Sequence, residues 1–172
     1  MEEKRQQRTV GSIVKIPLER GYHSYARILK SPYFAFYDFR EEEVSNLDLI
    51  VSSPILFITS VSHYSVTSGL WVKVGKLPLE KNLLKIPPQF IQDSIQTNQF
   101  EIVYYDGRKK KATAEECAGL ERLAVWTPES IQERLIDHYA GRQNFWVKPT
   151  KKLKIDMDKP STIKSIRLVA SA

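Results

Sequence analysis

The sequence predicts an α+β fold in which a twisted, largely antiparallel β-sheet or partial barrel is covered by one C-terminal amphipathic helix. Three observations carry this. Short β-rich runs separated by turn residues recur between Val10 and Ala112, Asp106-Gly107 sits between two of these runs, and a capped amphipathic segment begins at Thr127. With 172 residues and 42% hydrophobic content, the chain is long enough for one domain with a buried core, and its composition fits neither a wholly disordered nor a collagen-like chain.

Taken in order, Val10 to Leu18 is β-rich, with Pro17 suited to a strand end. Glu19-Arg20-Gly21 reads as a hairpin connection into a second strand within Tyr22 to Leu29. Ser31-Pro32 then breaks the chain. Tyr33 to Phe39 holds five aromatics in seven positions, a density that belongs in a third, central strand. Ile55 to Val61 and Leu70 to Val74 read as further strands on either side of a loop, Ser62 to Gly69, and Pro78, Pro87 and Pro88 force an irregular stretch. Phe100 to Tyr105, the Asp106-Gly107 turn and Arg108 to Ala112 predict a hairpin. Thr113-Ala114-Glu115-Glu116 is a capping-box pattern that opens a short helix ending near Gly119. The last helix has Thr127 as N-cap, Pro128 at its first position, Glu129 at the positive end of the dipole and Gly141 past its end. On a helical wheel Ile131, Leu135, His138 and Tyr139 form its inner face, with Gln132, Glu133, Arg134 and Asp137 elsewhere.

The net charge of +6 raises the question of a nucleic-acid partner, and the location of the charge answers it. Residues 148–172 carry seven Lys/Arg against two Asp/Glu, residues 1–8 three against two, and residues 9–147 sixteen of each. The chain therefore divides into a flexible N-terminus (1–8), a single neutral domain (9–147) and a basic, partly disordered C-terminal tail (148–172), and a nucleic-acid partner is not expected. Lys151, Lys152 and Lys154 have no aromatic residue beyond Trp146 to stack on single-stranded bases. No apolar run approaches the roughly 18 residues of a membrane span, and no apolar stretch follows the N-terminal charges as in a secretory signal. The single Cys117 cannot form an internal disulfide, and these features together point to the cytoplasm.

Few residues invite catalysis. His23, His63, His138 and Cys117 are isolated, so neither a metal site nor any other cofactor is expected. Nucleophile-elbow and phosphate-binding glycine patterns are missing, and the chain reads as a binding protein, not an enzyme. Cys117 reads as a small buried hydrophobe whose flanking glutamates raise its thiol pKa. Lys109 to Lys111 read as charges that protect a sheet edge. Trp71, Trp126 and Trp146 suit a core, or an interface as hot spots. Asp38, Glu41, Glu42, Glu43 and Asp48 make an acidic loop able to hold a basic partner through charge-assisted hydrogen bonds.

Four stretches carry a family likeness: Gly11 to Leu18 with Tyr25 to Leu29; Phe36 to Arg40; Ser68 to Leu79; and Ala112 to Trp126 continuing through Arg134 to Arg142. Their order and spacing resemble the immunity protein 26 family of bacterial polymorphic toxin systems, over about residues 9–147. The resemblance implies an inhibitor that binds a cognate toxin, encoded by a neighbouring gene, in the cytoplasm of the producing cell. No cofactor or turnover is implied, and the oligomeric state is left open. Many such toxins are nucleases with basic clefts, which makes Asp38, Arg40, Glu41, Glu42, Glu43 and Trp71 the expected toxin contacts. The opening Gly-x-Ile-Val-x-Ile-Pro strand is also similar to that of endoribonuclease toxins with an SH3-like barrel, an alternative in which the chain cleaves or binds RNA. Against it, no Arg plus Ser/Thr catalytic pair is found at matching positions, and residues 9–147 are neutral.

Overall fold

A computed structural model describes residues 5–147; the basic tail expected at 148–172 lies outside the described residues. The described chain forms two compact units, the first running to Ile86 and resuming at Ala124–Ala140, the second holding Pro87–Leu123 and residues 141–147. In chain order, the first unit contributes β1 (Ser12–Pro17), β2 (His23–Ile28), β3 (Tyr33–Glu41), α1 (Leu47–Val51), β4 (Ile55–Val61), α2 (Tyr64–Thr67) and β5 (Val72–Lys76). The second contributes β6 (Gln89–Gln92), β7 (Phe100–Val103), β8 (Lys109–Ala112), α3 (Ala114–Cys117) and β9 (Glu121–Arg122). The chain then returns to the first unit with β10 (Val125–Trp126) and α4 (Pro128–Tyr139).

In the first unit the strand order is β10-β4-β3-β2-β1-β5, antiparallel except where β10 runs beside β4. The aromatic segment is central, as its composition predicts, with Phe36 facing Ala26 on one side and Phe57 on the other. Between β1 and β2 the chain turns through a 3-10 turn in which Arg20 and Gly21 have φ of 58° and 80°. The sheet has two open edges, so it is not a closed barrel. α+β is thus the observed class, with two sheets where the sequence suggests one.

Alternation of side chains across the sheet gives it two buried faces. On one, Val14, Ile16, Ala26, Ile28, Phe34, Phe36 and Phe57 pack with Val66, Trp71 and the α4 residues Ile131 and Leu135. Phe36 stacks on Phe57 at 4.6 Å between centroids, and Trp71 meets Phe34 and Phe36 edge-on at 5.7 and 6.0 Å. On the opposite face, Ile13, Tyr25 and Tyr37 pack under Ile50 of α1, and Leu29, Tyr33 and Ala35 pack against Leu83. Helices α1 and α2, of five and four residues, fall where the sequence suggests loops. They are too short to display a helical period.

Thr127 caps α4 by accepting from the Ser130 N–H, and Pro128 occupies its first turn. One assignment on its wheel is corrected. Arg134, read as lying off the inner face, is buried, and His138 on that face is exposed. The Arg134 guanidinium lies 3.5 Å from the Phe57 centroid and 5.0 Å from that of Trp126, so its charge is stabilised by aromatic faces while its stem fills the core. Within the stretch expected to be a flexible N-terminus, Gln6 and Arg8 make specific hydrogen bonds, and residues 1–4 lie outside the described residues. The Gln6 side chain bonds to the Trp71 carbonyl and the Lys73 N–H, each at 2.9 Å, and Arg8 donates to the Leu29 and Tyr33 carbonyls.

In the second unit the order is β8-β7-β6-β9, with Phe90, Phe100, Ile102, Ala114 and Cys117 forming its core. The Asp106-Gly107 hairpin joins β7 to β8 with Ile102 opposite Lys110, and the three lysines lie on the edge strand as expected. The Thr113–Glu116 capping box is complete in both directions. β6 follows the Pro87-Pro88 pair directly, inside a stretch read as irregular.

Arg27 has no solvent exposure, and donates to the Leu77 and Pro78 carbonyls at 2.9 and 2.6 Å, with Glu80 at 3.8 Å. Removing a buried charge-assisted donor leaves its acceptors unpaired. Arg27→Met is therefore expected to lower unfolding stability by about 3 kcal/mol, read as a drop in the urea midpoint with little change in slope.

Candidate functional site

The residues at the end of β3 are set by pleat and register. β3 is nine residues long, and its last pair with β4 is Tyr37 with Ile55, while β2 follows it as far as Glu41. Phe39 turns to the Tyr25 side of the sheet, its ring 5.6 Å from that of Tyr25. Asp38 and Arg40 turn to the α4 side. There the Asp38 carboxylate meets His138 Nε2 at 3.3 Å, and the Arg40 guanidinium lies 4.7 Å from the Tyr22 centroid and 4.8 Å from that of Tyr139.

β3 ends on Glu41, and the chain beyond it carries Glu42 and Glu43, all three exposed. His23 Nδ1–H donates to the Glu42 carbonyl at 2.8 Å, holding this exit against β2. Glu43 meets Lys15 at 3.7 Å. Below them the buried Tyr25 hydroxyl has its pKa raised by burial, to which the charges of Glu43 and Glu41 add. Asp48, read as part of the same acidic loop, belongs to α1, where its N–H is capped by the Asn46 side chain. Between residues 38 and 48 five carboxylates face one arginine, a concentrated negative field on a neutral domain.

The structure thus brings Asp38, Arg40 and Glu41 to Glu43 together at one end of the first unit. Trp71 is corrected: it is fully buried against Phe34 and Phe36 and offers nothing to a partner. Trp126 is half-buried on the same core, and Trp146 is about half exposed beside Phe145. His138 is a surface partner of Asp38, and His63 bonds to Ser31 at 3.0 Å.

The ring contacts of Tyr22 and Tyr139 with Arg40 left no trace in the sequence, because they depend on how β2 and α4 meet. A second acidic feature was also missed. Glu19, Glu129 and Glu133 line a groove of about 460 Å³ floored by Leu18 and Ile136, where Gln132 donates to the Pro17 carbonyl at 2.8 Å. The spacing of four between Glu129, Glu133 and Asp137 was its only sequence trace. The Glu129 backbone N–H, at the positive end of α4, holds its own carboxyl below the usual range.

Cys117 is buried, and burial together with Glu116 pushes its thiol pKa up. Among the described residues no cluster of three His, Cys, Asp or Glu is placed to hold a metal, and no helix is long and apolar enough to cross a membrane.

The described residues form an α+β fold in which Asp38, Arg40 and Glu41 to Glu43 stand as exposed charges at the end of β3. Residues 9–101 match the family of immunity protein 26, just over half of the chain, and the chain belongs to that family. The match takes in the whole acidic end of β3 and stops within β7, so the stretch from Ala112 to Arg142 lies beyond it. Neither a curated protein nor a solved structure matches the chain.

Two outcomes follow. Replacing Glu41, Glu42 and Glu43 together by Gln is expected to leave the unfolding midpoint unchanged or slightly higher, since exposed substitutions shift stability by only about 0.5 kcal/mol each and these relieve like-charge repulsion. Iodoacetamide is expected to alkylate Cys117 far more slowly in the native protein than in denaturant; equal rates would show that the thiol is accessible.

Proposed function

We propose that this chain is an immunity protein that binds a cognate bacterial toxin in the cytoplasm of the producing cell and neutralises it by protein–protein contact, without turnover or cofactor. Membership of the immunity protein 26 family supports the class. The observation that carries the contact is the acidic end of β3, where Asp38, Glu41, Glu42 and Glu43 stand exposed around Arg40. A toxin with a basic cleft finds in this array the charge pattern of the phosphates it normally binds. The Glu19, Glu129 and Glu133 groove extends the same sign of charge along α4. A stable complex of this kind buries about 1,200–2,000 Å² in total.

The partner is the product of a neighbouring toxin gene. Co-expression with that product is expected to restore growth and to yield a complex that co-purifies, while the chain expressed alone leaves growth unaffected. The Glu41–Glu43→Gln triple variant is expected to slow association about tenfold or more and to flatten its salt dependence. An unchanged association rate and salt slope would remove the acidic end of β3 from the interface, and absence of both rescue and co-purification would overturn the immunity reading itself.

A further inference from the structure

We infer that Arg40 is the anchor of the toxin contact and that the toxin meets it with a carboxylate set among basic side chains, an inference that rests on the immunity reading above. Arg40 is exposed, yet its guanidinium is already fixed by two aromatic rings, with Tyr22 at 4.7 Å and Tyr139 at 4.8 Å. The rings come from the β1–β2 connection, where Tyr22 exchanges backbone hydrogen bonds with Leu18 and Glu19, and from the last residue of α4, a helix packed on the sheet through Ile131 and Leu135. An arginine held in this way has lost its rotamer freedom before a partner arrives, and this preorganisation is what gives arginine its weight in interfaces.

Aromatic rings stabilise the cation but accept none of its in-plane hydrogen bonds. No hydrogen bond or ion pair engages the Arg40 guanidinium among the described residues. Asp38 meets His138 and Glu43 meets Lys15, and no ion pair joins Glu41 or Glu42 to Arg40 among the described residues. The N–H fork is therefore presented to solvent without an acceptor, and the group that fits a planar fork bidentately is a carboxylate. The field of Asp38 and Glu41 to Glu43 around it would repel an isolated acid. It accommodates an acid flanked by lysine or arginine, so the complementary face of the toxin alternates in sign in the opposite sense. An acidic rim around a single positive centre is a register-setting pattern, since sliding the partner by one position sets like charges against each other.

The test uses the full chain and the isolated toxin encoded beside it, with affinity measured at two salt concentrations and folding checked by thermal unfolding. Arg40→Gln is expected to weaken binding by at least about 30-fold, the scale of an interface hot spot, with the unfolding temperature unchanged. Arg40→Lys, which keeps the charge and loses the fork, is expected to lose about tenfold. Tyr22→Leu is expected to fall between wild type and Arg40→Gln, because it frees the side chain without removing it. Selection for toxin variants that regain binding to Arg40→Glu is expected to return Asp or Glu replaced by Lys or Arg. If folded Arg40→Gln binds as wild type does, or Arg40→Lys is indistinguishable from wild type, or the suppressors fall at basic toxin residues, the anchor is overturned while the immunity reading stands. If wild type itself does not bind the toxin, both fall.

Discussion

Arg27 places a permanent positive charge at a position with no solvent exposure, where an uncompensated charge costs several kcal/mol. The compensation comes from the chain that follows β5. The Leu77 and Pro78 carbonyls accept from its guanidinium, Glu80 stands beside it, and burial raises the pKa of the neighbouring Tyr37 hydroxyl against the opposing effect of the Arg27 charge. Gly11 belongs to the same junction. It bonds to the Ile28 carbonyl through its N–H and to the Leu77 N–H through its carbonyl, at φ of +88°, and an added Cβ would come within 2.9 Å of the Leu77 oxygen. Only glycine allows that approach. Leu77 is thereby fixed from β1 and from β2 at once, and the segment leading to Leu83 is drawn over one face of the sheet.

With that face closed by Leu83 and by α1, α4 packs on the other. Its buried Arg134 rests on Phe57 and Trp126, and its last turn arrives beside the end of β3. The candidate contact surface is a consequence of this packing. Asp38 and Arg40 lie on the α4 side because Phe39 faces Tyr25, so the side chains that alternate with a partly buried aromatic are the ones displayed. Glu41 is the exposed last residue of the strand, and Glu42 and Glu43 leave the sheet altogether. Core and surface are in this sense one arrangement: the aromatic residues of β3 hold the strand in the middle of the sheet, and its last residues extend past the pairing with β4 into solvent.

The second unit contributes differently. Its core is small, and its edge strand carries three consecutive lysines that discourage pairing with another chain. The likeness read from Ala112 onward has no support from the family match, which ends at residue 101. The first unit holds most of the matched residues, and it is also where the acidic surface lies.

The sequence alone determined what depends on near neighbours. The positions of β1 to β5, β7 and β8, the Asp106-Gly107 hairpin, the Thr113 capping box and the Thr127-Pro128 helix start are all encoded by residues a few positions apart, and the acidic run was visible as a charge count. What it left undecided depends on which surfaces meet. Arg134 read as lying off the inner face of its helix and Arg27 carried no sign of its burial, because polarity alone says nothing about the carbonyls and aromatic rings that a distant segment brings. Trp71 looked like a contact, since a tryptophan suits both core and interface until its neighbours are known. The short helices α1 and α2 carry too few residues to show a period. The fixing of Arg40 required Tyr22 and Tyr139, from opposite ends of the described chain, to converge on one guanidinium. Local sequence sets backbone geometry through sterics and hydrogen bonds between neighbours, whereas the fate of a charge or an aromatic face is decided by the partners that folding places against it.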